Sequence, residues 1–561
     1  MSTVAKIFSQ ILNGRLMKYL ENNKLLSEEQ NGFRRLRSCL DHIYFVCTIL
    51  RNRKLMNLDT YLCFVDFSKA FDSVNHTILS NKLLGAGVHG NMFKVIKCLY
   101  SNLKNAIRLS PMMFTDWFSV DFGVRQGDNL APTLFALFID DLVPLIKGLS
   151  QGVLVGNDMI SCLFYADEVV LISDSNKGLQ SQLNVLHDWT KKNLLNVNIE
   201  KTKAMHVRKA SSSRLDVLFR LGQKELDYVE KYRYLGLTLS ENIDYKVFVN
   251  ELSAAASRSL GSLTSKFLHM GNMDFEIYTK IYDNTVIPVM DYASGIWGIK
   301  RYDSLERLQY RAIRTFLGIS KCAPIPAVLG DMGWLPVYIH TQCNAIRLWC
   351  RLMKIPDNRL CRKVFCWDIE TSTRYKNTWF NNIKTVLNTC NLTHLINYSG
   401  ENISTNYVLE TVKSKCVDDF KDRWSNEVRT MPKLRTYKTF KSEFSTEPYV
   451  KRHLSRVQRS ALARIRSGTF PLEIEQGRYR NIPPNLRICK LCNSGSIEDE
   501  THFLIYCDRY TDARNRLLRE LPSIHIDELP PNEAITVLFN ANTKLVANFI
   551  LECSNIRREF I

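Results

Sequence analysis

Two short, strongly apolar runs each carry a carboxylate to their end, and they narrow the fold more than any other feature of the chain. The first is YLCFVDFSKAFDSV, in which residues 62–65 read as a buried strand, Asp66 closes it and the following pattern turns helical. The second is ISCLFYADEVVLIS, where apolar residues on both sides of Asp167 and Glu168 predict a β-hairpin with two acids at its tip. Acidic side chains are poor occupants of buried strands unless they bind a cation or a base. Two strands bringing carboxylates to one point suit a two-metal site, where divalent ions about 4 Å apart stabilise both the attacking and the leaving oxygen of an in-line phosphoryl transfer. Taken alone, each segment is weak, since a turn containing Asp-Glu is usually just a turn, so their company along the chain decides.

Charge points the same way. Lys and Arg number 75 against 56 Asp and Glu, a net +19, which favours a polyanionic partner, nucleic acid before membrane surface. The excess is local: residues 429–490 hold 15 Lys/Arg and 4 Asp/Glu, so +11 of the total lies there. A solvated basic face is the plain alternative. With 45% hydrophobic and 23% charged residues the composition excludes wholesale disorder, a collagen-like rod and a coiled coil. No run approaches the roughly 20 apolar residues that cross a bilayer, and the first residues alternate apolar and charged at helical spacing, unlike a secretory signal. The expectation is an intracellular chain, cytoplasmic or nuclear, of about three or four folding units, with single cysteines such as Cys63, Cys98, Cys162, Cys343 and Cys350 reduced and buried.

In order, QNGFRRLRSCLDHI, FVDFSKAFDSVNH, GVRQGDNLAPTLFALFIDDL, FYADEVVLIS, LNVNIEKTKAMHV and YRYLGLTLS resemble the successive motifs of reverse transcriptases from non-LTR (LINE-like) retrotransposons. The match runs motif by motif to about residue 240 and continues more loosely through YDNTVIPVMDYASGIWG, which is similar to the family's thumb. The resemblance implies an α+β chain: a right-hand polymerase with a ferredoxin-like βαββαβ palm, fingers and a helical thumb, followed by a mostly helical C-terminal region with a small zinc knuckle. It implies fingers and palm over 1–230, a primer grip and thumb-like region over 231–330, a helical connection over 331–480, a knuckle at 485–510 and a tail at 511–561. Because the chain starts inside the region that leads into QNGFRR, it reads as the C-terminal part of a retroelement polyprotein.

The same resemblance assigns roles. Asp66 and Asp167 would hold two catalytic Mg²⁺ ions, with Glu168 standing where the family usually has a second aspartate and reaching one methylene further. Lys201 in NIEKTK would lie near the leaving pyrophosphate as a general acid; a solvated lysine is its alternative. Phe71 would sit beneath the sugar of the incoming nucleotide and favour dNTP, the alternative being a core aromatic on an amphipathic helix. Gln126 and Gly127 would border the nucleotide pocket, and Arg34 and Arg37 would meet the triphosphate with their forked donors, unless they are exposed arginines at a helix start. Leu235 and Gly236 would form the turn that grips the primer. Partners would be an RNA template, a DNA primer and dNTPs, with no membrane.

One cysteine group stands apart. Cys489, Cys492, His502 and Cys507 follow C-x2-C-x9-H-x4-C, a donor set suited to a closed tetrahedral structural Zn²⁺ site, and similar to the Cys-Cys-His-Cys knuckle downstream of the polymerase in this family. With the basic stretch before it, the knuckle reads as a grip on phosphate with little sequence readout. Two other readings compete with RNA-directed DNA synthesis. One is a catalytically impaired retroelement remnant that only binds nucleic acid; the other, an intron-encoded maturase, is disfavoured by the knuckle and thumb patterns.

Overall fold

The strand ending in Asp66 is β1, Thr60–Val65, and every residue in it is buried. This is a computed structural model, and it describes residues 2–101, 103–209, 217–397, 403–522 and 525–560. The chain forms two compact units, fewer than its length suggested: Met1–Phe248 with Leu348–Ile403, and Val249–Arg347 with Ser404–Ile561.

In the first unit, helices α1 (Thr3–Asn22) and α2 (Cys39–Leu55) precede β1, and α3 (Ala131–Asp140) follows it. Then come β2 (Cys162–Tyr165), β3 (Glu168–Ser173), α4 (Asn176–Asn193) and β4 (Lys203–Val207). A further hairpin, β5 (Phe219–Leu221) and β6 (Lys224–Tyr228), completes a six-stranded sheet of order β5-β6-β4-β1-β3-β2. Four of its strands pair antiparallel as β4-β1-β3-β2, with α3 and α4 as the crossovers, which is the expected βαββαβ arrangement. β6 joins parallel to β4 at Lys203↔Asp227.

The helices follow their apolar spacing. In α4, Leu179, Leu183, Leu186 and Trp189 recur every three or four residues and are buried, while Ser175 caps the start by accepting from the Gly178 amide. α3 is apolar nearly all round and correspondingly buried from Ala131 through Asp140, except Pro132. Removing Leu134, Phe135, Phe138 and Ile139 from water contributes about 1.5–3 kcal/mol each to holding α3 on the sheet. Beyond the sheet, β7 (Lys231–Tyr234) and β8 (Leu237–Ser240) make a separate two-residue hairpin.

The expected 331–480 connection divides between the two units. The helices Leu360–Arg374 and Trp379–Thr389 belong with α2, because Asp368 accepts from Asn52 Nδ2 and from the Phe380 amide, each at 2.9 Å, and Arg351 meets Asp41 at 2.7 Å. The second unit has no strand among the described residues, only an isolated bridge between Ile488 and Ile497. Residues 511–561 are not a loose tail there. Thr543–Phe560 buries Val546, Phe549, Ile550 and Cys553, and Arg557 pairs with buried Glu498.

The basic stretch is also largely spent inside this unit. Arg466 is buried against Asp331 and Glu447, Lys441 meets Glu447, and Arg435 reaches Glu475 and Glu500. Arg480 and Lys490 share Glu473. The run reads as more basic than it is because two of the acids that pair with it, Asp331 and Glu500, lie outside it. Arg429, Lys438, Lys451, Arg452 and Arg456 remain exposed. Of the cysteines named from the sequence, Cys63, Cys162, Cys343 and Cys350 are buried and Cys98 is exposed.

Candidate active site

Asp66 leaves β1 directly after Val65, whose partner on β3 is Val169, so Asp66 lies beside the end of the β2–β3 hairpin. That hairpin turns through Ala166 and Asp167 between the paired residues Tyr165 and Glu168. Ala166 takes φ +59°, a left-handed conformation uncommon outside glycine that puts strain into the turn. Both tip acids are held above the usual carboxylate range. For Asp167 the first cause is loss of surrounding water, opposed by a lowering hydrogen bond from its own backbone and then reinforced by the charge of Asp66. For Glu168 water loss again leads, opposed by the Leu235 amide and reinforced by the charges of Asp167 and Asp66.

The segment after α4 closes the site from the other side. Phe67 bridges Val197, the Asn198 amide donates to the Asp66 carbonyl at 2.8 Å, and the Asp66 amide donates to Thr202 Oγ1 at 3.2 Å. This docking delivers Lys201, 69% exposed, with its Nζ 3.8 Å from Asp66 Oδ2. Asn198 and Thr202, within NIEKT, were not singled out from sequence.

A second tie comes from QNGF. The Asn31 amide donates to the Phe164 carbonyl at 2.9 Å and the Phe164 amide to the Glu29 carbonyl at 3.0 Å, so this stretch covers the outer edge of β2. Gln30 Oε1 accepts from the amides of Gly32 and Ala166 at 2.9 and 3.3 Å, joining it to the catalytic turn. A Cβ on Gly32 would lie 2.3 Å from the Ala166 nitrogen, so only glycine permits this approach. Neither Gln30 nor Gly32 stood out in the sequence, since their partner lies more than 130 residues on.

Phe71 sits half-buried on a short 3₁₀ turn, not on an amphipathic helix, with its ring stacked on Phe135 at 4.6 Å and edge-on to Phe33 at 6.4 Å. The GVRQGD loop is strapped beneath it: the Val124 amide donates to the Phe71 carbonyl at 2.8 Å, and Gly123 (φ +92°) passes close to the Asp72 backbone. Gln126 and Gly127 are exposed, Gln126 Nε2 lying 3.5 Å from Asp72 Oδ1.

Arg34 and Arg37 are placed differently from the expectation. Their side chains are 3% and 4% exposed. Arg34 grips the Glu21 carboxylate at 2.7 and 2.8 Å and donates to the carbonyls of Ser27 and Gln30. Arg37 meets Glu28 at 2.5 Å and Asn31 Oδ1 at 2.7 Å. Forked donors already satisfied inside the framework have little left for a triphosphate; these arginines hold the QNGF segment in shape, and the neighbouring Arg35 is the exposed one.

The β7–β8 hairpin stands over the sheet. Tyr232 stacks flat on Phe64 at 4.1 Å, and the Tyr234 hydroxyl lies 3.1 Å from His42 Nδ1. Its tip is Leu235-Gly236, both left-handed at φ +46° and +79°, and the Leu235 amide donates to Glu168 Oε2 at 3.2 Å. Burial first, then the nearby charges of Glu168 and Asp66, push the Tyr232 hydroxyl up to about 12.

In the second unit the ligand atoms of Cys489, Cys492, His502 and Cys507 all lie within 4.8 Å of one another. Cys489 Sγ is 4.0 Å from Cys507 Sγ, close to the edge of about 3.8 Å expected for two thiolates at about 2.3 Å from one tetrahedral ion. Cys492 Sγ and His502 Nε2 are 3.3 Å apart, and the Leu491 amide donates to Cys489 Sγ at 3.4 Å. Hydrogen bonding from Cys507 holds the Cys489 thiol well below its usual range, with His502 and the Leu491 amide helping. Three thiols and an imidazole drawn together fit a structural Zn²⁺.

Comparison with known proteins agrees with the palm geometry. Residues 1–239 match the family model described as reverse transcriptase (RNA-dependent DNA polymerase). The "Probable RNA-directed DNA polymerase from transposon BS" of Drosophila melanogaster is 24% identical over 57% of this chain and 36% of that protein. The "Retrovirus-related Pol polyprotein from type-2 retrotransposable element R2DM", also of Drosophila melanogaster, is 26% identical over 42% of this chain and 23% of that protein. The chain thus spans about a third of the length of these relatives or less. A solved telomerase of Candida tropicalis, in complex with a telomeric RNA fragment, aligns at 16% identity and a TM-score of 0.34 over 68% of this chain and 56% of that one, too remote to carry weight. Residues 1–239 are thus similar to the reverse transcriptases, as the six ordered motifs are to those of non-LTR retrotransposons.

Proposed function

We propose that this chain copies RNA into DNA, adding nucleotides from dNTPs to the 3′ end of a DNA primer. The observation that carries the proposal is the pairing of Asp66 with Asp167 at adjoining strand ends, close enough that one charge raises the other's carboxyl. Both are half-buried oxygen donors, and Mg²⁺ takes such hard ligands while keeping waters and phosphates in its shell, so Asp66 and Asp167 would hold the ions. Bound there, the ions supply charge stabilisation to the attacking and leaving oxygens of in-line transfer.

The chain's own groups do the rest. As the primer 3′-oxygen forms its bond to the α-phosphorus and the bond to pyrophosphate breaks, Lys201, exposed beside Asp66, hands a proton from Nζ to the leaving group. Phe71, braced between Phe33 and Phe135, presents a ring where a 2′-hydroxyl would clash, favouring dNTP. Gln126 and Gly127 border the pocket, and the Leu235-Gly236 turn meets the primer end. In the second unit Zn²⁺ on the Cys₃His cluster would stiffen the fold, while Lys451, Arg452 and Arg456 offer phosphate contacts.

The test is Mg²⁺-dependent extension of a DNA primer on an RNA template, with Asp167→Ala as control. Extension by the native chain that disappears in the variant is the expected result. Salt-sensitive RNA binding without extension would refute the catalytic reading and leave a nucleic-acid binder.

A further inference from the structure

Resting on the polymerase reading, we propose that Glu168 is a positioning residue: its carboxylate holds the Leu235-Gly236 turn, and through it the primer terminus, against the catalytic corner. Asp167 lies in the two-residue turn, and Glu168 opens β3 opposite Tyr165. Both acids feel the charge of Asp66, but Glu168 Oε2 reaches the other hairpin and accepts from the Leu235 amide at 3.2 Å.

The receiving end is built to need this. The hairpin is seated through β7, by Tyr232 on Phe64 and by Tyr234 on His42. The tip is a two-residue loop in which a leucine, not a glycine, takes φ +46°. A side-chain-bearing residue in that conformation persists only where its surroundings hold it, and the bond from its own amide to Glu168 is such a hold.

Length matters here. An aspartate at position 168 would withdraw the carboxylate by about 1.5 Å, one carbon–carbon bond, turning a 3.2 Å contact into one beyond hydrogen-bond reach. A glutamine would keep both the reach and an oxygen acceptor while losing the charge. A metal ligand would rank these substitutions the other way, tolerating the shorter acid and not the amide.

The experiment uses the full chain as native protein, Glu168→Gln, Glu168→Asp and Glu168→Ala. Affinity for a recessed DNA primer on an RNA template is read by fluorescence anisotropy in EDTA, and primer KM, dNTP KM and kcat are read in Mg²⁺. The expected pattern is Glu168→Gln within twofold of native for primer affinity and primer KM. Glu168→Asp and Glu168→Ala should each weaken recessed-primer binding by about tenfold or more, the effect of one lost hydrogen bond to a charged group, and raise primer KM while dNTP KM stays put. Equal affinity of all four proteins in EDTA would overturn the proposal, as would extension that survives Glu168→Asp and vanishes in Glu168→Gln. The EDTA measurement needs no turnover, so a native chain that fails to extend would sink the catalytic reading while the tether is still judged.

Discussion

Gly32→Ala should damage the catalytic turn without touching an acid. The new Cβ would stand 2.3 Å from the Ala166 nitrogen and 2.9 Å from its Cα, both backbone atoms. An ordinary contact is longer by about 1 Å, so either QNGF lifts off β2 or the turn before Asp167 moves. If QNGF lifts by that amount, the bonds between Asn31 and Phe164 and between Phe164 and Glu29, at 2.9 and 3.0 Å, open to about 4 Å and are lost. Two such bonds are worth about 1–3 kcal/mol together, and Gln30 loses its bridge to Ala166 as well. If instead the turn yields, a displacement of about 1 Å at a reacting group costs on the order of 100-fold in rate. The expected outcome is a Tm for the first unit lower by about 4 °C, taking about 2 °C per kcal/mol, and primer extension slowed by about 10- to 100-fold at unchanged RNA affinity. Native Tm together with native extension rate would show that QNGF does not hold the turn, and the argument would fall.

Three further outcomes follow from the same structure. Arg34→Ala leaves Glu21 and two carbonyls without their partner, so it should cost about 2–4 kcal/mol of stability; a selective rise in dNTP KM at native Tm would restore the triphosphate role instead. Asp368 is buried with its carboxyl raised to about 6, so folding takes up a proton, and the group's contribution is best below pH 4 and worsens as pH rises to 6. Asp368→Asn, which can meet the unpartnered Asn52 Oδ1 and still accept from Phe380, should therefore raise stability by roughly 2–3 kcal/mol at pH 8 and give no gain at pH 4, read as Tm against pH. Metal analysis should find one Zn²⁺ per chain, and Cys507→Ser should lose it and make the second unit protease-sensitive.

What could be read from the sequence, and what could not, separates by distance along the chain. Asp66 and the Asp167 hairpin were legible because acids punctuating apolar runs are a local pattern, and the four knuckle ligands because their spacing lies within 19 residues. Arg34 and Arg37 looked like free cations because their partners, Glu21 and Glu28, carry no local mark as partners. The basic stretch overstated its free charge for the same reason: Asp331 and Glu500, which neutralise part of it, lie outside it. The return of residues 348–403 to the first unit turns on Asp368 meeting Asn52 across 316 positions, which no periodicity announces.

The site's construction also says which positions will tolerate change. Three segments reach the corner where Asp66 and Asp167 meet, and each docks mainly through backbone groups: QNGF through Phe164 and Ala166, NIEKT through the amide and carbonyl of Asp66, and the Leu235 amide through Glu168. Such ties depend little on most of the side chains along them, so the segments can drift in sequence. They depend strongly on the few residues that permit the approach. Gly32 is intolerant because any side chain meets main chain, and Ala166 and Leu235 are strained at positive φ in the two turns that meet at Glu168. Strain of about 1–3 kcal/mol at each such residue persists only where surrounding structure over-determines it. Loosening one tie should therefore relax a turn as well as weaken a contact, which is why Glu168→Asp, an acid for an acid, is expected to do more harm than Glu168→Gln.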